Sequence, residues 1–309
     1  MVLGLGLGLA AIGRPAYITS GRDRDLPGSR SRHELRERAH ELLDRAYALG
    51  IRYVDAARSY GDAEQFLGSW LAARGVPDVF VASKWGYRYV GDWRMDAEEH
   101  EVKSHDLATF TRQLAETRAL LGDRLRLYQV HSLTSDSPLL ADRPLLDRLA
   151  ALRDEGVEIG FSTSGPRQAD AVDRALALTA GGKRLFTSVQ ATWNLLEPSA
   201  GPALAAAHDA GVRVVVKEAV ANGRLAGPGV DARLASVAAA HGVGPDAVAL
   251  AAVAAQPWCD VVLSGAVTTA QLDSNATAVP LTPADLDALA GLAEPAGAYW
   301  AARAARPWA

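Results

Sequence analysis

The chain has 309 residues, of which 49% are hydrophobic and 22% are charged, and its formal net charge at pH 7 is −4. This composition is typical of a globular protein with a large core, and the small net charge gives no indication of nucleic-acid binding. The length is enough for one large α/β barrel or for two ordinary domains.

A single cysteine, Cys259, excludes an internal disulfide and is typical of a reducing cytoplasm. No histidine or carboxylate pattern surrounds it, which favours a small buried residue over a nucleophile. The apolar N-terminus MVLGLGLGLAAIG lacks a basic region, and its glycines and short length argue against a signal peptide or a membrane span. We therefore expect a cytoplasmic protein that does not associate with a membrane.

Arginines recur in the early segment, at Arg14, Arg22, Arg24, Arg30 and Arg32. Such a run can bind an anion, but a solvated loop is the more frequent outcome. We expect the loop here and keep the anion-binding patch as the alternative.

Short runs of strand-forming residues alternate with longer helical patterns almost to the end of the chain. The predicted strands cover residues 3–9, 52–56, 79–83, 127–131, 158–162, 187–192, 213–217 and 260–263. Several are continuous apolar runs rather than alternating ones, as expected for parallel strands that are covered on both faces.

Amphipathic patterns lie between these strands. They predict helices over residues 33–49, 62–74, 106–121, 144–155, 166–179, 200–210, 245–255 and 269–278, with two additional helices over 231–241 and 282–292. A glycine that ends a helix and feeds the next strand recurs in ALGIRYV, DEGVEIG and DAGVRVVV. Eight strand–helix units predict a (β/α)8 TIM barrel in one domain over residues 1–309, with extra helices and long loops at its C-terminal face.

The predicted loop 85–105 is unusually long and rich in aromatic residues and histidines. It follows the C-terminal end of the third strand, where barrel enzymes keep their sites. A wall of a substrate pocket and a small packed satellite cluster explain this composition equally well.

Three predicted strands in a row end on residues that can perform acid–base chemistry: Asp55, Lys84 and His131. Tyr60 follows in the loop after Asp55, so all four side chains should emerge on one face of the barrel. A buried lysine beside a tyrosine lowers the pKa of the phenol from about 10. Asp55 would keep Lys84 charged, and His131 could donate a hydrogen bond to a substrate oxygen. The set predicts a proton donor suited to carbonyl reduction.

Each of these residues also has an ordinary structural explanation. Asp55 and Lys84 could form a structural ion pair, Tyr60 could be a loop aromatic, and His131 could be satisfied by backbone groups. Their joint placement at the ends of consecutive strands favours the catalytic interpretation.

The segments that carry these residues resemble those of the aldo-keto reductase family over nearly the full chain. Asp55–Gly61 resembles its Asp-Thr-Ala-x-x-Tyr-Gly segment, while Lys84 lies in VASKWG and His131 in LYQVHS. The resemblance implies that Tyr60 is the general acid. It also implies that Asp55 and Lys84 tune the pKa of Tyr60 and that His131 orients the carbonyl group.

The second half resembles the family's cofactor-binding segments. Ser162 and Thr163 match the turn that holds the nicotinamide carboxamide, and Gln190 matches its third ligand. The stretch 263–275 resembles the segment around the adenosine phosphate and adenine, and a helix N-terminus near residue 269 favours phosphate. The cofactor-binding residues implied there are Ser264, Gly265, Gln271 and Asn275.

Two departures from the family pattern concern the cofactor. Lys217 stands where an aromatic residue usually stacks on the nicotinamide, and it could contact cofactor phosphates or pair with Glu218. Glu218 and Asn222 belong to the same implied cofactor-binding segment. The stretch from Gly265 to Gln271 has no lysine or arginine for a 2′-phosphate. The family implies NADP, with NAD as the alternative.

We expect an oxidoreductase that uses NAD(P) to reduce an aldehyde or ketone to an alcohol, or the reverse, acting on a small carbonyl compound or a sugar. Trp85, Tyr87 and Trp193 would bind the substrate, with Tyr299 and Trp300 as further candidates. No metal-ligand spacing is apparent. A monomer is the default expectation.

Two alternatives remain open. An NAD-preferring aldose dehydrogenase fits the missing cations of the eighth unit. A nucleotide-binding redox sensor or partner subunit with little turnover fits the unusual lysine at position 217.

Overall fold

Eight parallel strands form a closed barrel in the computed structural model, which describes residues 4–308. The strands are β1 (Leu5–Gly8), β2 (Tyr53–Asp55), β3 (Phe80–Trp85), β4 (Leu125–Leu133), β5 (Glu158–Thr163), β6 (Ser188–Thr192), β7 (Arg213–Lys217) and β8 (Val261–Ser264). The predicted first strand begins at Leu3, which lies outside the described residues. The (β/α)8 TIM barrel predicted from the sequence is confirmed.

The barrel closes because β1 pairs with both β2 and β8. Gly6 is in register with Tyr53 on one side and with Leu263 on the other. Every other strand pairs with its neighbours in chain order. All five residues of β6 are buried, and so are the three consecutive valines of β7, as expected for parallel strands that are covered on both faces.

Helices surround the barrel, and ten of the twelve α-helices in the described residues agree with the predicted ones to within a few residues. They are α1 (Arg22–Asp25), α2 (Arg32–Ala48), α3 (Ala63–Arg74), α4 (Leu107–Leu121), α5 (Arg143–Asp154), α6 (Gln168–Leu176), α7 (Gly201–Asp209), α8 (Ala232–His241), α9 (Pro245–Ala254), α10 (Thr269–Asn275), α11 (Pro283–Ala290) and α12 (Ala296–Ala304). At the start of α2, Ser31 and Glu34 form a reciprocal capping box.

Several short elements have no counterpart in the sequence predictions. They include α1, α12, three 3-10 helices (Gly122–Arg124, Pro138–Ala141 and Ala221–Gly223) and two small hairpins, Tyr87–Tyr89 with Glu101–Lys103 and Thr179–Ala180 with Lys183–Arg184. Helix α12 begins after Pro295 and buries Tyr299 and Trp300 in a satellite core with residues of α8 and α9. This docking brings the C-terminal segment over the mouth of the barrel.

The arginine-rich segment is not the solvated loop that we expected. Arg14, Arg22 and Arg30 are buried, whereas Arg24 and Arg32 are exposed. Arg22 donates to the Arg14 carbonyl oxygen at 2.6 Å, and Arg30 donates to that of Pro15 at 2.8 Å. The loop after β1 turns its carbonyl groups inward, and buried carbonyls need donors. The arginines therefore hold this loop together.

Among the described residues, no single helix has both the length and the hydropathy needed to cross a membrane. Helices α8 and α9 are long and apolar enough only when they are counted as one segment, and the chain bends by 90° between them.

Candidate active site

Tyr60 and His131 meet at the C-terminal ends of the strands. Tyr60 lies in the turn after β2 and His131 lies in β4. The Tyr60 hydroxyl is 3.5 Å from Nε2 of His131, and the two rings meet edge to face. Both side chains line a cavity of about 330 Å³. One small ligand atom could therefore contact both groups at the same time.

Asp55 lines this cavity and forms an ion pair with Lys84, which does not line it. Lys84 is fully buried on β3, and it also donates to the carbonyl oxygen of Ala56 at 3.1 Å. The other oxygen of Asp55 accepts from Gln190 at 2.9 Å and from Gln129 at 3.3 Å. The Lys84 ammonium group lies 4.8 Å from the centre of the Tyr60 ring. The cation is thus held close to the phenol without lining the cavity.

The pKa of Tyr60 differs from the sequence expectation in its direction. Burial raises the pKa of Tyr60 well above its usual value, and the negative charge of Asp55 adds to this effect. Lys84 was expected to lower the pKa, but the adjacent Asp55 carboxylate offsets the charge of Lys84. Desolvation therefore decides the direction. Tyr60 is protonated at neutral pH, which is the form that a general acid requires.

His131 is held as a neutral imidazole. Burial lowers the pKa of His131 well below its usual value, and the cations of Lys84, Arg14 and Lys217 lower it further. The Ser59 hydroxyl lies 3.3 Å from Nδ1. If Ser59 donates there, the proton is on Nε2, which points at Tyr60 and the cavity. A neutral Nε2–H group can donate to a substrate oxygen.

We expect His131 to stay neutral at pH 6, where an ordinary histidine is mostly protonated, because burial and nearby cations lower its pKa. The measurement is a pH titration of the imidazole ¹⁵N chemical shifts by NMR, with the His131 signals assigned by their loss in His131→Asn. Protonation of His131 with a midpoint near 6.5 would contradict the assigned state.

Arg14 belongs to this site and was not recognised as a site residue in the sequence. It donates to the carbonyl oxygen of Ser59 at 2.9 Å and to Glu101 at 2.7 Å. Its guanidinium carbon lies 5.2 Å from the Tyr60 ring centre and 4.6 Å from that of Trp308. These partners come from three distant chain segments, so no local spacing in the sequence could have identified them. Arg14 holds the turn that carries Tyr60.

Several residues assigned to the cofactor line the same cavity as Tyr60. They are Gln190, Lys217, Glu218, Asn222, Ser264 and Gly265. Ser162 and Thr163 do not line it, whereas Ser164 does. The Ser162 hydroxyl accepts from the Ser132 amide at 2.8 Å. The buried Thr163 hydroxyl has no hydrogen-bond partner within residues 4–308, and the predicted contacts of Ser162 and Thr163 with a cofactor stay predictions.

Gln271 and Asn275 brace the turn between β8 and α10 instead of lining the cavity. The Asn275 side chain accepts from the Ser264 hydroxyl and donates to Asp246, both at 2.7 Å. The Gln271 side-chain oxygen accepts from the Val267 amide at 2.9 Å. Their predicted contacts with a cofactor stay predictions.

Lys217 pairs with Glu218, as one of the two sequence hypotheses proposed. Its ammonium group is 3.7 Å from a Glu218 oxygen and donates to the Thr192 hydroxyl at 2.7 Å. Burial lowers the pKa of Lys217 to about 8. Burial would raise the pKa of Glu218, but Lys217 and Arg303 lower it to about 2. Glu218 is therefore ionised, and Arg303 of α12 ties the C-terminal segment to the barrel.

The aromatic residues that we assigned to the substrate divide into two groups. Tyr87 lines the cavity, and its ring centre is 5.0 Å from that of His131. Trp85 is fully buried against Phe110, and Trp193 packs against Trp258. Neither tryptophan lines the cavity, because their side chains point into the layer between the barrel and its helices. Their assignment as walls of the pocket is therefore corrected.

The sequence model of the aldo/keto reductase family matches residues 26–294. The aldo-keto reductase str7 of Strobilurus tenacellus is 43% identical over 47 residues, which is 15% of this chain and 14% of the relative. The holo form of the aldo-keto reductase AKR11C1 from Bacillus halodurans superposes with a TM-score of 0.71 at 22% identity, covering 95% of this chain and 93% of that one. A Pseudomonas aeruginosa protein assigned to the aldo-keto reductases superposes with a TM-score of 0.61 at 24% identity, covering 93% of this chain and 89% of that one.

The two solved structures share the fold with this chain, and the family model covers most of its length. The described residues form a (β/α)8 TIM barrel with Asp55, Tyr60, Lys84 and His131 on the side of its C-terminal strand ends. The chain belongs to the aldo/keto reductase family and is an oxidoreductase.

Proposed function

We propose that the protein reduces the carbonyl group of an aldehyde or ketone to an alcohol, or catalyses the reverse reaction, with NADP as the cofactor and Tyr60 as the general acid. The observation that carries this proposal is the 3.5 Å distance between the Tyr60 hydroxyl and Nε2 of His131 in one cavity. Both groups can donate to a single carbonyl oxygen, as reduction of that group requires.

The nicotinamide cofactor would supply the hydride when it is bound. Gln190, which lines the cavity, would hold its carboxamide, and the family resemblance adds Ser162 and Thr163 at the neighbouring strand end. Ser264, Gly265 and Asn222 line the same cavity and would contact other parts of a dinucleotide. Polar side chains and an open glycine thus fit such a ligand.

In the proposed reaction, His131 donates a hydrogen bond from Nε2 to the substrate oxygen and orients the carbonyl group. Tyr60 transfers its hydroxyl proton to that oxygen as the carbonyl carbon is reduced. The phenol becomes a phenolate, and the Lys84 ammonium group, 4.8 Å from the ring centre, stabilises the new charge. Asp55 keeps Lys84 protonated and in place.

The proposal is tested by titrating the protein with NADPH and NADH while tryptophan fluorescence is followed, and then by assaying a panel of aldehydes, ketones and sugars. We expect NADPH to bind and to support reduction of small carbonyl compounds. Binding without turnover across the panel would favour a redox sensor. Faster oxidation of sugars with NAD would favour an aldose dehydrogenase, which the absence of a cation from Gly265 to Gln271 supports.

A further inference from the structure

Lys217 places a positive charge in the cavity for which the proposed reaction has no use. Its side chain is 16% exposed and lines the same cavity as Tyr60 and His131. The ammonium group donates to the Thr192 hydroxyl at 2.7 Å and lies 3.7 Å from Glu218. The cation is therefore fixed in position at the end of β7.

The surrounding ion pairs leave this charge only partly compensated. Arg303 donates to both carboxylate oxygens of Glu218, at 3.1 and 3.0 Å, and the Thr192 hydroxyl donates to the same carboxylate at 3.2 Å. Two cations thus share one anion, and the cluster of Lys217, Glu218 and Arg303 has a net charge of +1. Lys217 and Arg303 both line the cavity, but Arg303 contacts both oxygens of Glu218, whereas the hydrogen bond of Lys217 goes to a neutral hydroxyl group.

A nicotinamide ring is neutral when reduced and positively charged when oxidised. The ring must lie beside the carbon whose oxygen contacts Tyr60 and His131, so it shares the cavity with Lys217. Like charges repel strongly in such a partly dry site. We propose that Lys217 makes the site distinguish the two redox states of the cofactor by weakening binding of the oxidised form relative to the reduced form. This inference rests on the proposed function.

The proposed effect depends on pH because the lysine repels only when it is protonated. With a pKa of about 8, Lys217 is mostly charged at pH 7 and mostly neutral at pH 9. The oxidised cofactor should therefore bind more tightly as the pH rises. The charged groups that face Lys217 are Glu218, Arg303 and Lys84. Glu218, with a pKa of about 2, does not titrate in this range.

Lys84 and His131 also require a control, since burial lowers the pKa of both. Lys217→Met retains these two residues and leaves Glu218 satisfied by Arg303 and Thr192. The difference between the wild type and this variant at each pH therefore isolates the charge at position 217. Lys217→Arg keeps that charge, and Lys183→Met removes an exposed lysine elsewhere.

The test measures the Kd values of NADPH and NADP⁺ by calorimetry at pH 7 and pH 9 for these proteins, with NADH and NAD⁺ as a second pair. At pH 7, Lys217→Met should lower the ratio of the oxidised to the reduced Kd by on the order of tenfold. Tenfold corresponds to about 30 mV in the potential of the bound cofactor. Lys217→Arg and Lys183→Met should keep the wild-type ratio of Kd values. At pH 9, the ratio of the wild type should approach that of Lys217→Met.

An unchanged ratio in Lys217→Met would overturn the inference. Equal weakening of both redox forms would also overturn it, because that result identifies Lys217 as a contact to the cofactor phosphates. A rise in substrate KM with unchanged cofactor affinities would instead assign the lysine to an anionic substrate. If no nicotinamide cofactor binds to the wild type, the proposed function itself fails, and this inference fails with it.

Discussion

Tyr60→Phe is expected to lower turnover by at least about two orders of magnitude, the scale of general acid catalysis. The hydroxyl is the group that reaches the cavity beside Nε2 of His131, and phenylalanine removes it while keeping the ring. The ring contacts to His131 and to the guanidinium group of Arg14 remain possible. Cofactor affinity should therefore stay nearly unchanged, which fluorescence titration of the variant measures.

Tyr53→Phe is the matched control for this substitution. Tyr53 is a buried tyrosine of the preceding strand β2, stacked on Phe80, and its hydroxyl has no hydrogen-bond partner within residues 4–308. Its loss should leave turnover within a few-fold of the wild type. Near-native turnover in Tyr60→Phe would refute the assignment of Tyr60 as the acid.

Lys84→Met is expected to lower turnover as much as Tyr60→Phe does and to shift the pH dependence of the rate. The ammonium group of Lys84 favours the phenolate form of Tyr60, so its removal should raise the pKa of Tyr60 still further. In the direction of alcohol oxidation, where Tyr60 accepts a proton, the rising limb of the rate should move to higher pH. Initial rates measured between pH 6 and pH 10 test this, and an unchanged profile would count against the role of Lys84.

The same substitution also has a stability cost, which must be separated from the catalytic effect. Lys84→Met leaves the buried carboxylate of Asp55 without a cation, and breaking a buried ion pair in this way costs about 3–5 kcal/mol. The double variant Lys84→Met/Asp55→Asn removes the uncompensated charge and should regain most of the free energy of unfolding. Turnover should stay low in both variants. Recovery of activity along with stability would show that Lys84 acts only through the fold.

The closed barrel could be predicted because each strand and helix is recognisable from residues that are close together in the sequence. Strands such as Arg213–Lys217 are short apolar runs, and several of the helices between them end at a glycine. Helix α12 was missed because its docking depends on Tyr299 and Trp300 finding a distant core. The buried arginines were misjudged for the same reason, since their partners are backbone carbonyls that only the folded loop turns inward.

The residues of the site could likewise be predicted where they depend on local sequence, but not where they depend on contacts between distant segments. Asp55, Tyr60, Lys84 and His131 could be selected because strand ends of one barrel share a face, and the structure brings their side chains together. Arg14 could not be selected, because its partners are far apart in the chain.

By itself, the sequence determined the barrel, its family resemblance and the residue types that meet at the C-terminal face. Only the tertiary structure decided the burial and pairing of those residues, and with them the protonation states. Desolvation keeps Tyr60 protonated and His131 neutral, and Arg303 of α12 shares Glu218 with Lys217. Burial and charge compensation arise from segments that are distant in the chain, so no local pattern of residues can encode them.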